Sequence, residues 1–79
     1  MKFNKVIKTT KQKEIFLASA ILTRDELDVF NEALTGDTYG DIAETLDMSV
    51  KKVNRLLTEV KDKYNMVQKE NSDILLPLE

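Results

Sequence analysis

The segment DIAETLDMSVKKVNRLL, residues 41–57, decides the fold of this 79-residue chain. Its first half places Ile42, Ala43 and Leu46 at helical spacing, and its second half starts a new helical pattern. Because only residues 47–49 separate the two halves, the two predicted helices must cross steeply. Such a crossing needs a small residue where the backbones approach, and Ala43 stands at that point. The pattern predicts a helix-turn-helix.

The turn of this motif has requirements of its own. Its first residue must tolerate a positive φ, which Asp47 does at some cost compared with glycine. Its second residue must fill the gap between the helices, and Met48 is apolar. Ser49 then predicts the N-cap of a helix over residues 49–65. The apolar positions of that helix are Val50, Val53, Leu56, Leu57, Val60 and Tyr64.

Two further helices are predicted upstream. The first covers residues 11–21, with Thr10 as its N-cap. Its inward positions recur at helical spacing and are Ile15, Leu17 or Ala18, and Ile21 or Leu22. The second covers residues 24–35 and starts with a capping box, in which Thr23 accepts from the Glu26 amide and the Glu26 carboxylate accepts from the Thr23 amide. Its inward positions are Leu27, Phe30, Ala33 and Leu34.

The ends of these helices are also marked in the sequence. Gly36 supplies the left-handed residue that ends the second helix. Thr38 or Asp37 predicts the N-cap of a short third helix over residues 39–46, which is the first helix of the helix-turn-helix.

Composition favours a single all-α domain of four to five helices. One proline and two glycines leave few helix breakers, and one third of the residues are charged. We predict a helix-turn-helix domain over residues 11–66. Residues 1–10 are predicted to form a basic N-terminal arm that is flexible or extended, and residues 67–79 a tail with at most a short helix.

The residue types that are absent exclude several function classes. The chain has no cysteine, histidine or tryptophan, which removes thiolate chemistry, the commonest general base and the commonest metal ligand. We therefore predict a protein that is no enzyme and uses no cofactor or metal. The apolar run of residues 15–22 is too short to span a membrane, so we expect a cytoplasmic location, in a bacterium or as a phage protein in its host.

Charge is arranged in blocks along the chain, although its net value is only −2. Residues 1–13 carry five lysines and no acid, whereas residues 14–48 carry nine acids and one base. Residues 49–63 return to a net charge of +3. Basic charge is thus confined to the N-terminal segment and to the helix that begins at Ser49.

Residues 22–66, LTRDELDVFNEALTGDTYGDIAETLDMSVKKVNRLLTEVKDKYNM, resemble the LuxR/GerE-type helix-turn-helix domain. They also resemble, less closely, region 4 of sigma factors, which shares this architecture. The match is ungapped over 45 of the 79 residues. The matching positions are Leu22, Thr23, Glu26, Val29, Ala33, Gly36, Ile42, Ala43, Leu46, Ser49, Val53, Val60 and Lys63. The resemblance implies a DNA-binding transcription regulator whose helix from Ser49 enters the major groove.

The candidate DNA-binding residues face away from the apolar stripe of this helix. Arg55 is suited to pair with guanine, Asn54 with adenine, and Val50 to meet a thymine methyl group. The lysines and the N-cap regions at Ser49 or Thr38 are suited to hold phosphates. The full candidate set is Ser49, Val50, Lys51, Lys52, Asn54, Arg55, Thr58 and Lys61. A lysine-rich outer face is also what an ordinary solvated helix presents.

A second class of function stays open at this point. A fold like sigma region 4 also suits a protein-interaction module that binds RNA polymerase or another regulator and has little affinity for DNA. The acidic helix over residues 24–35 would then bind a basic partner. The N-terminal lysines suit either an arm along DNA phosphates or a frayed terminus. The residues after Met66 depart from the family's usual final helix, so formation of a homodimer also stays open.

Overall fold

The computed structural model describes residues 3–78 and contains five α-helices in that part of the chain. They are α1 (Phe3–Val6), α2 (Thr10–Ser19), α3 (Arg24–Leu34), α4 (Tyr39–Leu46) and α5 (Val50–Glu70). No strand occurs within residues 3–78, which confirms the predicted all-α class. The molecule measures 36 by 20 by 20 Å. α2, α3 and α4 pack against the 21-residue α5, and α1 packs on α3.

Four aromatic rings form the centre of the core. Phe3, Phe16, Phe30 and Tyr64 are each at most 1% exposed. They contact one another in a closed cycle of edge-to-face pairs, with ring centroids between 5.1 and 5.9 Å apart. Such pairs contribute about 0.5 to 1.5 kcal/mol each beyond the area that they bury. The cycle joins α1, α2, α3 and α5 at a single point.

Residues 3–10 do not form the flexible or extended arm that the sequence predicted for residues 1–10, of which residues 1 and 2 lie outside the described part of the chain. Phe3, Val6 and Ile7 are buried, and residues 3–6 form α1. These apolar residues recur at helical spacing, so one turn of helix directs all three inward while Lys5 and Lys8 stay exposed. Residues 3–10 therefore belong to the folded domain.

The start of α2 also differs from the prediction. Its N-cap is Thr9 instead of Thr10, because Gln12 then occupies the third helical position and completes a capping box at 3.1 Å in both directions. With Thr10 as N-cap that position would hold Lys13, which has no acceptor. The helix ends at Ser19, Phe16 is its buried residue, and Ile21 is 90% exposed.

The helix ends of α3 and α4 confirm the sequence prediction. Thr23 and Glu26 form the capping box, at 2.8 and 3.2 Å, and Gly36 has a φ of +86°. Thr38 is the N-cap of α4, and its hydroxyl accepts from the Asp41 amide at 3.2 Å. On α3, Val29 is fully buried although the predicted stripe omitted it.

The C-terminal segment is better ordered than the sequence predicted. α5 continues to Glu70, and residues 71–78 fold back without forming a helix. Leu75 is fully buried, and side-chain amides from Gln12 and Gln68 donate to the backbone of residues 74 and 75 at 3.0 and 3.2 Å. The hydroxyl of Tyr64 donates to the carbonyl of Leu76, and burial raises the pKa of that hydroxyl. Residues 67–78 are therefore part of the domain.

Substitution of Phe3 by Ala should unfold a large part of the population at moderate temperature. The change opens a cavity in the aromatic cycle, and we expect the free energy of unfolding to fall by about 3 to 5 kcal/mol. Lys5→Ala is the matched control, since Lys5 lies on the same short helix and is exposed. Urea denaturation followed by circular dichroism measures both. Equal stability of the two variants would contradict the buried position of Phe3.

Candidate nucleic-acid interface

The turn between α4 and α5 has the backbone conformation that the sequence predicted for residues 47–49. Asp47 adopts the left-handed conformation, with φ 55° and ψ 49°, as predicted for the first turn residue. The next amide, that of Met48, donates back to the carbonyl of Ala43 at 2.9 Å, which closes the end of α4. Ser49 then caps α5, its hydroxyl accepting from the Lys52 amide at 3.1 Å. The short turn thus fixes where α5 begins.

The two faces of α5 differ sharply in exposure. Val53, Leu56, Leu57 and Val60 are at most 4% exposed and form the inner face. The outer face of the first half carries exposed polar side chains, with Val50 at 51% exposure near the N-terminal tip. Five residues of this region line one shallow depression: Ser49, Lys51, Lys52, Asn54 and Arg55. We call this surface, together with Val50 and Thr58, the α5 outer face.

Three residues predicted to contact DNA are less available for that contact than the sequence suggested. Lys61 is half-buried and lies outside the depression that the first-half residues line. The Thr58 hydroxyl donates to the Asn54 carbonyl at 2.9 Å, so its proton is already used within the helix. Thr38 is the N-cap of α4, but Asp41 in the first turn of α4 places a carboxylate beside the position predicted to hold phosphate.

Carboxylates partner two of the four cations in the candidate set. Arg55 Nη1 donates to Glu59 Oε1 at 3.0 Å, one helical turn along α5. Lys52 Nζ lies 3.4 Å from a carboxylate oxygen of Asp25 on α3. These side chains are 42 to 59% exposed, so each pair stabilises the fold by only about 0 to 1 kcal/mol. A phosphate or base edge can therefore compete for either cation.

These acidic partners were missed by sequence reasoning. The helical spacing of Arg55 and Glu59 was available as a signal, because residues four apart on a helix are neighbours. The pair of Lys52 with Asp25 joins residues 27 positions apart and depends on how α3 packs against α5. Lys51 forms no ion pair within residues 3–78 and is exposed.

An ion pair between a buried carboxylate and a half-buried lysine joins α3 to the middle of α5. Glu26 is 2% exposed, and Lys63 Nζ lies 2.7 Å from its carboxylate and 2.8 Å from the carbonyl of Ile21. Burial by itself raises the pKa of the Glu26 carboxyl. Hydrogen bonds from Lys63 and Thr23 outweigh that effect and hold the pKa below its ordinary value of 4.5. The sequence predicts Glu26 as part of the capping box and gives Lys63 as a position that matches the family. It does not predict that the two residues pair.

Comparison with known proteins gives no match to a family model, to a curated protein or to a solved structure. The resemblance to the LuxR/GerE-type domain therefore rests on the sequence motif alone. Within residues 3–78 no helix has both the length and the apolar character needed to cross a membrane. The described residues also contain no group of three or more carboxylates arranged to hold a metal ion.

Lys63→Met should destabilise the protein without changing its helical spectrum below the transition. Methionine keeps the unbranched chain but leaves the Glu26 carboxylate buried without its cation, so we expect a loss of about 2 to 3 kcal/mol. Lys61→Met is the control, because Lys61 lies on the same helix and forms no ion pair within residues 3–78. Urea denaturation of both variants measures the difference, and equal losses would contradict a structural role for the pair.

The same ion pair should make stability depend on pH in the acid range. Because the folded-state pKa of Glu26 is lowered, its contribution is fully present above pH 4.5 and is lost as the pH falls through the folded-state pKa. Glu26→Gln keeps the hydrogen-bonding shape but does not titrate. We expect the free energy of unfolding of the wild type to fall more steeply than that of the variant from about pH 5 to pH 3. Parallel curves would show that Glu26 is unpaired.

Proposed function

We propose that the protein is a transcription regulator that binds double-stranded DNA with the α5 outer face in the major groove, without catalysis or cofactor. The supporting observation is the joint formed by Asp47, Met48 and Ser49, which starts α5 at a fixed point and leaves its first turns exposed. An α-helix fits the width of the major groove of B-DNA. The resemblance of residues 22–66 to the LuxR/GerE-type domain supports the same role.

Five residues of the α5 outer face have assigned roles in this proposal. Arg55 would pair with O6 and N7 of a guanine, and Asn54 with N6 and N7 of an adenine. Val50 would contact a thymine methyl group from the helix tip. Lys51 and the amides behind Ser49 would hold phosphates and so set the register of the protein on the duplex.

The acidic net charge is compatible with this role because of where the charges lie. Nine of the fourteen acids occur in residues 14–48, upstream of α5, whereas residues 49–63 have a net charge of +3. Asp41, Glu44 and Asp47 are the exception, since they belong to the motif and are exposed. They would repel nearby phosphates and lower the affinity for DNA of any sequence. We therefore expect specific binding that depends on base contacts more than on charge.

Selection of binding sites from a random duplex library tests the proposal directly. The purified chain should enrich one motif that contains a guanine for Arg55 and an adenine for Asn54. Titration of a random duplex at low and moderate salt forms the second arm, because binding that uses phosphates must weaken as salt rises. The absence of both an enriched motif and a salt-dependent titration would refute the proposal.

Two substitutions separate base contacts from phosphate contacts. Arg55→Ala should cost about 1 to 3 kcal/mol on the selected site and relax specificity at one base pair. Lys51→Ala should weaken binding to all duplexes alike and reduce the slope of log affinity against log salt by about 1. Fluorescence anisotropy measures both effects.

Lys69→Ala provides the control for the lysine variant. Lys69 lies on the same helix at the same rotational position as Lys51, five turns and about 27 Å further along. Because Lys69 is that far from the proposed DNA contacts, its substitution by Ala should have little effect on binding. If Lys69→Ala weakens binding as much as Lys51→Ala, DNA contact is not confined to the N-terminal half of α5.

A protein-interaction module is the second candidate function. It is favoured by the acidic side chains of α3 and by the carboxylates that partner Arg55 and Lys52. In that case the chain would bind a basic surface, such as one on RNA polymerase or on another transcription protein. Pull-down of polymerase subunits together with no enriched DNA motif would support this candidate over DNA binding.

A further inference from the structure

The ion pair of Arg55 and Glu59 involves the residue proposed to read a base. The contact uses Nη1 of Arg55 alone, and within residues 3–78 that guanidinium makes no other hydrogen bond. The edge formed by Nε and Nη2 therefore keeps its two parallel N–H groups. That edge has the donor geometry needed for bidentate pairing with O6 and N7 of guanine.

We propose that Glu59 is a positioning residue that determines specificity by holding the Arg55 guanidinium with its Nε and Nη2 edge available to a guanine. The inference rests on the proposed binding of DNA by α5. A free arginine side chain has several rotatable bonds and reaches phosphates as well as bases. Glu59 favours one orientation of the guanidinium and repels phosphates from its other side. Both effects favour a guanine over the DNA backbone.

The exposed ion pair becomes stronger when DNA covers it. In water the pair is screened, since Arg55 and Glu59 are 59% and 45% exposed. A bound duplex would displace water from this surface and lower the local dielectric constant, which strengthens every charge contact that stays satisfied. Glu59 therefore orients the Arg55 guanidinium most strongly in the complex with DNA, where Arg55 contacts either a base or a phosphate.

Asp62 provides an internal comparison for this role. It lies three residues beyond Glu59 on α5, is exposed, and forms no ion pair within residues 3–78. Asp62 carries the same negative charge as Glu59 but forms no ion pair with Arg55. Removal of the Asp62 charge should raise affinity for all DNA alike, whereas removal of Glu59 should also change which DNA is preferred.

The experiment measures dissociation constants of the full chain for the selected site and for a random duplex. It compares the specificity ratio among variants, defined as the dissociation constant for the random duplex divided by that for the selected site. The variants are Glu59→Ala, Asp62→Ala, Arg55→Ala and the double variant Arg55→Ala/Glu59→Ala. Alanine is a good helix former and both acids are on the helix surface, so circular dichroism should show an unchanged fold. Glu59→Ala should lower the ratio about threefold or more, because contacting residues are energetically coupled.

The remaining variants establish that Glu59 acts through Arg55. Asp62→Ala should leave the ratio unchanged and raise both affinities. Arg55→Ala should lower the ratio by about 5-fold to 150-fold, and Glu59→Ala should lower it no further in that background.

Failure of this inference is distinguishable from failure of the proposed function. If Arg55→Ala lowers the ratio while Glu59→Ala behaves like Asp62→Ala, DNA binding stands and the positioning role is refuted. The role is also refuted if Glu59→Ala lowers the ratio by the same factor with and without Arg55. If the wild type enriches no site and its binding to random duplex is independent of salt, the proposed function itself is refuted.

Discussion

The contact of four aromatic rings is the interaction on which the rest of the structure depends. A chain of 79 residues buries little apolar surface, so its core must use large side chains efficiently. Phe3, Phe16, Phe30 and Tyr64 each come from a different helix, and each ring touches two others edge to face. The cycle brings α1, α2 and α3 to the same part of α5. α4 is then held by its own contacts with α3 and α5, and by the short turn that leads into α5.

The helix that carries the proposed DNA-binding surface, α5, is anchored to the rest of the domain along its whole length. Its beginning is fixed by the cap at Ser49, its middle by the ion pair of Lys63 with the buried Glu26, and its end by the folded-back residues 71–78. Every buried side-chain nitrogen and oxygen within residues 3–78 has a hydrogen-bond partner, so the anchoring leaves no unsatisfied polar group. The outer side chains can then be presented to a ligand without a loss of backbone order on binding.

Local signals in the sequence predicted most of the fold, and long-range contacts limited the rest. The caps at Thr23 and Ser49 and the left-handed Asp47 depend on neighbouring residues, and all three were predicted correctly. The cap of α4 was predicted as Thr38 or Asp37, and it is Thr38. The N-terminal helix was missed because its stability comes from Phe3, whose ring meets partners 27 and 61 positions away. The order of the C-terminal segment was also missed, because that segment is held by residues distant in sequence, such as Gln12, which donates to the carbonyl of residue 74. For the candidate site, the exposed face of α5 was predictable from helical period, whereas the pairing of Lys52 with Asp25 required the packing of two helices.

The continuity of α5 restricts how this protein can diverge. One helix carries both the outer face near Ser49 and the aromatic anchor Tyr64, and each residue turns the helix by about 100°. A single insertion or deletion between them would rotate one part against the other and drive polar side chains into the core. Substitutions on the outer face change side chains that lie outside the core, so the packing of the core stays intact. Descendants of this chain can therefore acquire new outer residues freely, but the interval from Ser49 to Tyr64 must keep its length. Among homologues, the length of that interval should therefore be conserved more strongly than the identity of any residue on the exposed side.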